Sequence, residues 1–479
     1  MPTTMLPITM ACCLIGLSPS VALATAAETG LPTPYDNYYG VYLGGGKVGW
    51  MHASFVSGEE EAVLSVELEA QVAGMGSTAA ILLREQRRYA GRGGRLRNLA
   101  FSQRADAGEV TVTGKARGDT LVLQTKAGGV ATPSEVPVTE TLRGALAPQA
   151  LARSGNVGAE ERYTHFDASV QRNVAVVHRV EAVESRLVGG IETQVVRVVS
   201  SYPDLGIEEA SWIDRSGLVL ETRVGGFFVA RLEPRDVAKK RTYQQDLLVS
   251  AVVQVPEPIA NQEALQSLTL RFSGFGKNLP PASQRQQVVQ KDGGVVLHLR
   301  RDPPLARRPL STSPWHGELA QFVEATPFVQ SDAPAIRAAA IRAVGDASDL
   351  ASAVARLTHF VFEHIKDEYV PAYSNALDAL TSGRGDCTEH SVLFVALARA
   401  LNIPARVAVG IAYWPVGHGF GWHAWAEVFD GQRWVSVDPT WNQPEADVTH
   451  VKLAGGSAAQ QARIVMLLGR LKIEQLAMR

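Results

Sequence analysis

The chain has 479 residues, which is too many for one ordinary hydrophobic core, and typical domain sizes predict about three domains. The formal net charge of -2 provides no long-range field that would attract nucleic acid or an anionic membrane surface, so neither is expected as a partner. A hydrophobic fraction of 46% and a charged fraction of 20% are typical of a soluble globular protein, and after the N-terminal segment no run of about 18 uncharged apolar residues could span a membrane.

Residues 1–27 have the pattern of a secretory signal peptide. An apolar run from Met5 to Leu17 precedes small-residue sites around Ala24 and Ala26, and the first charged side chain is Glu28. No Lys or Arg precedes the apolar run, so a misplaced start, an unusual signal and a disordered apolar N-terminus stay open as alternatives. The pattern predicts export, and hence a periplasmic or secreted protein.

Cysteine usage separates one residue from the rest. Cys12 and Cys13 lie inside the predicted signal segment, so only Cys387 would remain after processing and no internal disulfide could form. A lipid anchor at Cys12 or Cys13 is a weaker alternative to simple cleavage, because Leu is missing three residues upstream. A lone thiol in an oxidising compartment is explained by full burial, by an intermolecular bridge or by chemistry.

From about Tyr35 to Arg241, apolar and polar residues alternate with a period of two, and Gly-rich or Asp/Gly turns interrupt the pattern. The alternation predicts antiparallel strands, with a hairpin turn at Gly44–Lys47. Further strands are predicted at Ala62–Val72, Glu109–Thr113, Thr120–Gln124, Thr193–Val199 and Leu218–Val224. The hairpins carry no His/Cys/Asp cluster with catalytic or ligand spacing, so 28–245 is interpreted as a β-meander domain with a scaffold or recognition role.

A second, smaller β-rich domain is predicted for 246–302, with strands near Leu268–Phe272 and Val295–Leu299. Prolines recur in 303–315 and disfavour both helix and central strand, so this stretch is interpreted as a linker. The remaining residues, 316–479, form the third predicted domain.

Beyond the linker, the apolar period changes to three or four residues, which predicts helices. One helix is expected to begin near Ser331-Asp332 and a second to span Ala351–Ile365. Their apolar faces are predicted to consist of Ile336, Ala340, Ile341 and Val344 in the first helix and Val354, Leu357, Thr358, Val361 and Phe362 in the second. His359 and His364 have no matching ligands elsewhere, so no metal site and no cofactor are expected.

Cys387 has the surroundings of a nucleophile. It follows a glycine-containing turn, 383–386, and precedes an uninterrupted helix-forming run, 392–400. The N-terminus of a helix favours a thiolate over a thiol, and the thiolate is the reactive form. The glycines allow a sharp turn that leaves the sulfur reachable, whereas a structural cysteine more often lies inside an apolar run.

A cysteine nucleophile in acyl chemistry needs an imidazole to hold the ion pair and to protonate the leaving group. His423 lies on a predicted strand that ends near Phe429, and a turn at 430–432 leads into a second strand that ends at Asp438. Paired strands can bring His423 and Asp438 face to face. Asp438 would then accept from one imidazole nitrogen and direct the other toward the sulfur of Cys387.

Three motifs, in this order, are Gly385-Asp386-Cys387-Thr388-Glu389-His390, Gly421-Trp422-His423-Ala424-Trp425 and Val437-Asp438-Pro439-Thr440-Trp441. They resemble the transglutaminase-like superfamily of cysteine acyltransferases and peptidases. The resemblance covers about Thr326 to Leu453, and it includes the segments 403–407 and 448–450, the latter resembling bacterial members. Papain itself is excluded, because papain-type enzymes place the histidine ~130 to 150 residues after the cysteine.

The resemblance implies an α+β fold with a papain-like core, in which a nucleophile helix packs against an antiparallel sheet that carries His423 and Asp438. It also implies acyl transfer through Cys387, with the backbone N–H of that residue as an oxyanion donor. The Trp422 indole and the Tyr373 hydroxyl are both candidates for a second donor, and both are also ordinary packing aromatics.

The neighbours of the motif residues have simpler interpretations. Asp386 and Glu389 stand at a helix start, where carboxylates commonly cap free N–H groups. His390 has no carboxylate partner in the sequence, which favours a supporting or core role over that of the base. Three tryptophans are expected in the core or in the walls of a cleft, and these are Trp425, Trp434 and Trp441.

The predicted function is cysteine-dependent acyl transfer on peptide or carboxamide bonds, with hydrolysis as the first choice and a protein or peptide as the substrate. Hydrolysis is favoured because an exported enzyme is surrounded by water and no amine-acceptor site is evident. Protein cross-linking by amine transfer is the alternative. A non-catalytic binding or assembly module is a third possibility, opposed by the presence of all three residues Cys387, His423 and Asp438.

Overall fold

The computed structural model describes residues 34–74, 77–91, 94–105, 108–240, 252–276, 279–310, 313–368, 375–455 and 462–479. The predicted signal segment, 1–27, and Tyr373 lie outside the described residues. No helix within the described ranges combines the length and the apolar character needed to cross a bilayer.

Residues 35–233 form one antiparallel sheet, and the described residues contribute 14 strands to it. The strands are β1 (Tyr35–Leu43), β2 (Gly46–Ser57), β3 (Glu61–Gly74), β4 (Ser77–Ala90), β5 (Leu96–Ala105), β6 (Gly108–Arg117), β7 (Thr120–Ala127), β8 (Val130–Pro137), β9 (Glu160–Asp167), β10 (Arg172–Val188), β11 (Ile191–Tyr202), β12 (Ile207–Asp214), β13 (Val219–Val224) and β14 (Phe228–Glu233). Three short helices accompany them: α1 (Leu142–Ala145), α2 (Ala147–Ser154) and α3 (Arg235–Ala238).

The strands follow each other as hairpins, which confirms the predicted antiparallel β-rich region. The turn between β1 and β2 uses Gly44 and Gly45 with positive φ angles of 55° and 88°, a conformation that side chains with a Cβ rarely adopt. In space the order is β8 to β1 and then β14 to β9, so β1 pairs with β14 at the middle of the sheet.

The remaining strands and helices build the unit that carries the predicted site. The strands are β15 (Val253–Gln254), β16 (Ser267–Ser273), β17 (Gln286–Lys291), β18 (Gly294–Arg300), β19 (Lys366–Asp367), β20 (Arg384–Gly385), β21 (Ala405–Trp414), β22 (Gly419–Phe429), β23 (Trp434–Val437), β24 (Val451–Gly455) and β25 (Lys472–Met478). The helices are α4 (Pro334–Val344), α5 (Leu350–His364), α6 (Ala376–Ser382) and α7 (Cys387–Ala400), with short 3-10 helices at Gln262–Ala264, Gly317–Phe322 and Ala462–Leu467.

The described part of 246–302 shares its sheets with the C-terminal region. β15 pairs with β22, and β16 pairs on one side with β18 and on the other with β25. The described part of 303–315 also packs on this region, because Leu305 is buried and the indole N–H of Trp315 donates to the carbonyl oxygen of Asn402 at 2.9 Å. The division into three domains with a free linker therefore stays a prediction from composition, and the sheets themselves connect the last two units.

Two helix predictions need correction. α4 begins after Ala333 as its N-cap residue, rather than at Ser331-Asp332. Ile341 and Phe362, predicted on the apolar faces, are exposed, because the buried stripes are narrower than the apolar pattern.

The sheet domain touches the unit that carries the predicted site at the β7–β8 hairpin. A Cβ atom built on Gly128 would lie 2.5 Å from Oδ1 of Asn375, the N-cap residue of α6. The hairpin therefore fits against the start of α6 only with a glycine at its tip.

α7 lies at the centre of the unit that carries the predicted site. Every residue from Cys387 to Ala398 is buried, so other elements of the fold cover this helix on all sides. It packs on β21 and β22, within an antiparallel sheet ordered β15-β22-β21-β24 with β23 on the β22 side. This helix-on-sheet arrangement confirms the predicted α+β class.

Candidate active site

The start of α7 is held by a capping box. Asp386 is the N-cap residue, and its Oδ1 accepts from the backbone N–H of Thr388 at 2.8 Å. In return, Oε2 of Glu389 accepts from the backbone N–H of Asp386 at 2.7 Å. The predicted capping roles of both carboxylates are thus confirmed, and they place Cys387 at the first position of the helix.

Gly385 makes this helix start possible. A Cβ atom at this position would lie 2.2 Å from the Cβ of Glu389, closer than real Cβ contacts come. Only glycine therefore allows the capping carboxylate to fold back over the turn that precedes Cys387.

His423 and Asp438 meet across β22 and β23. The ladder pairs Ala426 with Val437, so Asp438 continues beyond the last pair and reaches His423 diagonally. Nε2 of His423 lies 2.8 Å from Oδ2 of Asp438, and both side chains are 0% exposed. The structure therefore brings these two predicted residues into direct contact.

Asp438 is fixed by the turn that follows it. Its Oδ1 accepts from the backbone N–H of Thr440 at 2.8 Å and from that of Trp441 at 3.3 Å. Burial would raise the pKa of Asp438, but His423 and His450 lower it far below its usual range. The carboxylate is therefore ionised and correctly placed to orient the imidazole.

Cys387 lies against the same strand. The backbone N–H of Ala424, the residue after His423, donates to its sulfur. Nδ1 of His423 is buried and has no hydrogen-bond partner among the described residues. Because Nε2 is held by Asp438, Nδ1 is the ring nitrogen that remains available for proton transfer.

The thiol itself differs from the sequence-based expectation. Cys387 is 0% exposed, and its burial, followed by the charge of Asp386, raises the pKa of the thiol well above its usual value. The hydrogen bond from Ala424 lowers it but does not compensate. The helix N-terminus was expected to favour a thiolate; full burial beside two carboxyl groups opposes this effect and favours the thiol.

The two capping carboxyl groups are perturbed as well. Burial raises the pKa of Asp386 and, together with the charge of Asp386, that of Glu389. Oδ2 of Asp386 is buried without a hydrogen-bond partner among the described atoms. A proton is therefore retained in this pair at pH values where exposed carboxyl groups have lost theirs.

His390 has a supporting position, as expected. It is buried, and its Nδ1 lies 2.7 Å from the carbonyl oxygen of Asp386. Burial lowers its pKa, so the ring is neutral and stabilises the turn before Cys387.

His450 belongs to the site and received no role from the sequence. Its Nε2 lies 3.0 Å from Oδ2 of Asp438, the oxygen that also binds His423, and its Nδ1 lies 3.3 Å from Oδ1 of Asp447. Burial would lower the pKa of His450, but its bonds to Asp438 and Asp447 raise it to about 9. The motif 448–450 was the available signal, but only the fold shows that its histidine reaches Asp438.

One group of side chains has the composition of a metal site. Ligand atoms of His423, Asp438 and His450 lie within 4.8 Å of one another. However, both imidazole Nε2 atoms are hydrogen-bonded to the same carboxylate oxygen, and all three side chains are fully buried. The arrangement is that of a hydrogen-bonded chain, and we assign no metal to it.

The tryptophans differ in their relation to the site. Trp441 stacks on His423 with ring centroids 4.5 Å apart and an interplanar angle of 13°. Trp425 meets His450 edge to face at 5.2 Å, whereas Trp434 packs on Phe322 away from the site. Trp425 and Trp441 therefore form the apolar wall around the two histidines.

Comparison with known proteins agrees with this geometry. Residues 337–439 match the family described as the transglutaminase-like superfamily, and this range contains Cys387, His423 and Asp438 but ends before His450. No curated protein sequence matched the chain.

Solved structures give two partial likenesses. A candidate cysteine protease from Cytophaga hutchinsonii is 21% identical, with a TM-score of 0.32, and the match covers 45% of this chain and 86% of that one. A β-barrel-like protein from a domain family of unknown function in Brucella abortus is 17% identical, with a TM-score of 0.34, covering 42% of this chain and 96% of that one. On the family match, which contains the first two motifs and ends inside the third, the segment 337–439 of this chain belongs to the transglutaminase-like superfamily.

Proposed function

We propose that the chain is a cysteine-dependent enzyme that hydrolyses peptide or carboxamide bonds, with Cys387 as nucleophile, His423 as proton carrier and Asp438 as its orienting carboxylate. One observation carries the proposal: Nε2 of His423 is bound by Asp438 at 2.8 Å while its Nδ1 has no partner in the described part of the chain. An imidazole held in this way has one nitrogen committed to orientation and the other available for proton transfer.

The reaction follows from these positions. As the sulfur of Cys387 attacks the carbonyl carbon, its proton moves to Nδ1 of His423, because the resting sulfur is a thiol. The imidazolium then gives this proton to the departing amine, and a thioester remains. Water attacks the thioester, His423 takes a proton from it, and the thiol is regenerated as the carboxylic acid leaves.

Hydrolysis and amine transfer differ only in what resolves the thioester. Peptide mixtures are incubated with the purified protein and with Cys387→Ala, and the products are identified by mass spectrometry. We expect new termini in the wild-type sample alone. Isopeptide bonds between peptides would instead support cross-linking, and identical products in both samples would support a binding module and contradict the proposal.

A matched histidine control separates chemistry from folding. His423→Ala should abolish cleavage, because no other described group takes the place of its Nδ1. His298→Ala changes an exposed histidine on β18 and should leave cleavage unchanged. Equal loss of activity in both variants would contradict a specific role for His423.

We also propose that the protein is exported, on the basis of the apolar pattern of 1–27. Intact-mass measurement of the protein from fractionated cells should give a mature N-terminus near Glu28 in the periplasmic or secreted fraction. A full-length chain confined to the cytoplasm would contradict export while leaving the proposed chemistry untouched.

A further inference from the structure

A single carboxylate oxygen connects two buried histidines. Oδ2 of Asp438 lies 2.8 Å from Nε2 of His423 and 3.0 Å from Nε2 of His450. An ionised carboxylate oxygen only accepts hydrogen bonds, so each Nε2 must carry a hydrogen. The proton-transfer nitrogen of His423 is then Nδ1, and His450 is the second donor that Asp438 requires.

The other side of His450 also faces acceptors. Its Nδ1 lies 3.2 Å from the carbonyl oxygen of Asp447 and 3.3 Å from the Oδ1 of the same residue. That Oδ1 is fixed in turn by the backbone N–H of Thr449 at 2.8 Å and by its hydroxyl at 2.6 Å. With acceptors at both nitrogens, the ring must carry two hydrogens, which makes it a cation.

The charged surroundings agree with a cationic ring. Asp438 and Asp447 flank it directly, whereas the nearby cation Arg285 is itself paired with Asp302 and donates to the carbonyl oxygen of Asp447. On α7, the charge of Asp438 acts on two groups: it contributes to the raised pKa of the Cys387 thiol and partly offsets the effect of burial on the pKa of His390. The pKa of His450 is raised to about 9 against the effect of burial, so the cation persists at neutral pH.

We propose that His450 is a positioning residue whose positive charge balances Asp438, so that the proton of the resting site stays on the sulfur of Cys387 until substrate is attacked. This inference rests on the proposed function. Without the cation, the charge of Asp438 would be unbalanced, and its direct contact with the ring of His423 would favour transfer of the proton from the sulfur to that ring. His450 therefore determines whether Cys387 and His423 rest as a thiol and a neutral imidazole or as a thiolate and an imidazolium.

The test measures the thiol without any substrate. His450→Gln keeps a hydrogen-bond donor for Asp438 and removes the charge. Iodoacetamide labelling of Cys387 is measured across pH 5 to 10. The pH at which the labelling rate rises, here called the labelling limb, should lie about one pH unit or more lower in the variant than in the wild type. This is roughly a 10-fold gain in labelling rate at the same pH. An unchanged limb, or a shift to higher pH, overturns the proposal.

Two further measurements keep the test decisive if His450→Gln fails to fold. Asp447→Asn removes the second anion and should shift the labelling limb in the same direction by less. In the wild-type protein, NMR of nitrogen-15-labelled histidines should show both ring nitrogens of His450 protonated at pH 7. A neutral His450 at that pH overturns the proposal by itself.

The controls separate this inference from the proposed function. His298→Gln, the same substitution at an exposed histidine, should leave the labelling profile unchanged. If Cys387→Ala keeps full cleavage activity, the proposed function fails, yet the labelling shift still reports the coupling. If Cys387→Ala is inactive but His450→Gln labels like the wild type, the function stands and the role of His450 is wrong.

Discussion

The indole of Trp441 lies face to face with the imidazole of His423, with ring centroids 4.5 Å apart and an interplanar angle of 13°. The backbone N–H of Trp441 also donates to Oδ1 of Asp438, so one residue contacts both members of the pair. The indole ring covers one face of the imidazole of His423. It thereby limits rotation of the imidazole away from its hydrogen bond with Asp438.

This contact predicts a graded effect of substitution. Trp441→Phe keeps a stacked ring and should lower kcat/KM by less than about 3-fold, whereas Trp441→Ala removes it and should lower kcat/KM by about 10-fold, close to the value of one stacking contact. Steady-state kinetics on a cleaved peptide measures both. Equal effects of Phe and Ala would show that the ring is not what positions His423.

Asp438→Asn tests the charge of the orienting residue. The amide has one oxygen, so if it accepts from His423 its NH2 group faces the backbone N–H groups of Thr440 and Trp441, and it no longer stabilises an imidazolium. The His450 cation also loses one of its two anions. We expect unchanged KM and a kcat reduced by ~10-fold to ~1000-fold, since some cysteine peptidases use Asn in this role. Kinetics equal to those of the wild type would make Asp438 purely structural.

The charge of Asp386 predicts how the thiol responds to pH. Asn is also a good N-cap residue, so Asp386→Asn keeps the acceptor for Thr388 while removing the carboxylate beside the sulfur. Labelling of Cys387 in the processed wild type should be slow near pH 6 and rise only above about pH 8.5, the value for free cysteine. In the variant the rise should occur at lower pH.

The control for this measurement is Asp349→Asn, the same substitution at the N-cap of α5, where the carboxylate caps a helix away from the site. Its labelling profile should match the wild type. If the wild-type protein is already labelled rapidly at pH 6, Cys387 is a thiolate at that pH, as the helix N-terminus alone predicts. This result would contradict the effect of burial on the thiol.

The two anions around His450 predict how stability depends on pH. The pKa of His450 is raised to about 9 in the folded protein, so its contribution to the free energy of unfolding is fully present below about pH 6.5, its unfolded value, and is lost as pH rises through about 9. The pKa values of Asp438 and Asp447 are lowered instead, and their contribution is present above about pH 4 and is lost as the pH falls further.

Urea unfolding monitored by tryptophan fluorescence from pH 4 to 10 measures these slopes. The wild type should lose on the order of 3 kcal/mol between pH 6.5 and 9.5 from His450 alone. His450→Gln should be less stable at pH 6 and should lack this alkaline loss. Parallel curves for the two proteins would rule out a buried cation at this position.

Local patterns in the sequence predicted the hairpins well, because a period of two and a glycine turn, as at Gly44–Lys47, involve neighbouring residues. The pairing of β1 with β14 was not predictable in this way. It joins Tyr38 to Glu233, and no local pattern specifies which distant strand will pair with an edge.

In the candidate site too, some features could be predicted from local sequence and others depend on the fold. Cys387, His423 and Asp438 stand in motifs that the sequence displays directly, and the His423–Asp438 contact agrees with the prediction. His450 was missed as a partner because its contact depends on the loop that begins after Asp438 and returns at Asp447. The protonation state of Cys387 was also beyond the sequence, since burial depends on what the whole fold places around α7.

The pairing of β16 with β25 has a consequence for the order in which the protein is assembled. Arg271 on one strand and Glu474 on the other are 203 positions apart, so this ladder cannot form until almost all of the chain between them has been synthesised. Contacts so distant in sequence are closed late and slowly. Until then β16 offers a free edge to other chains, and the last seven-residue strand is what covers it.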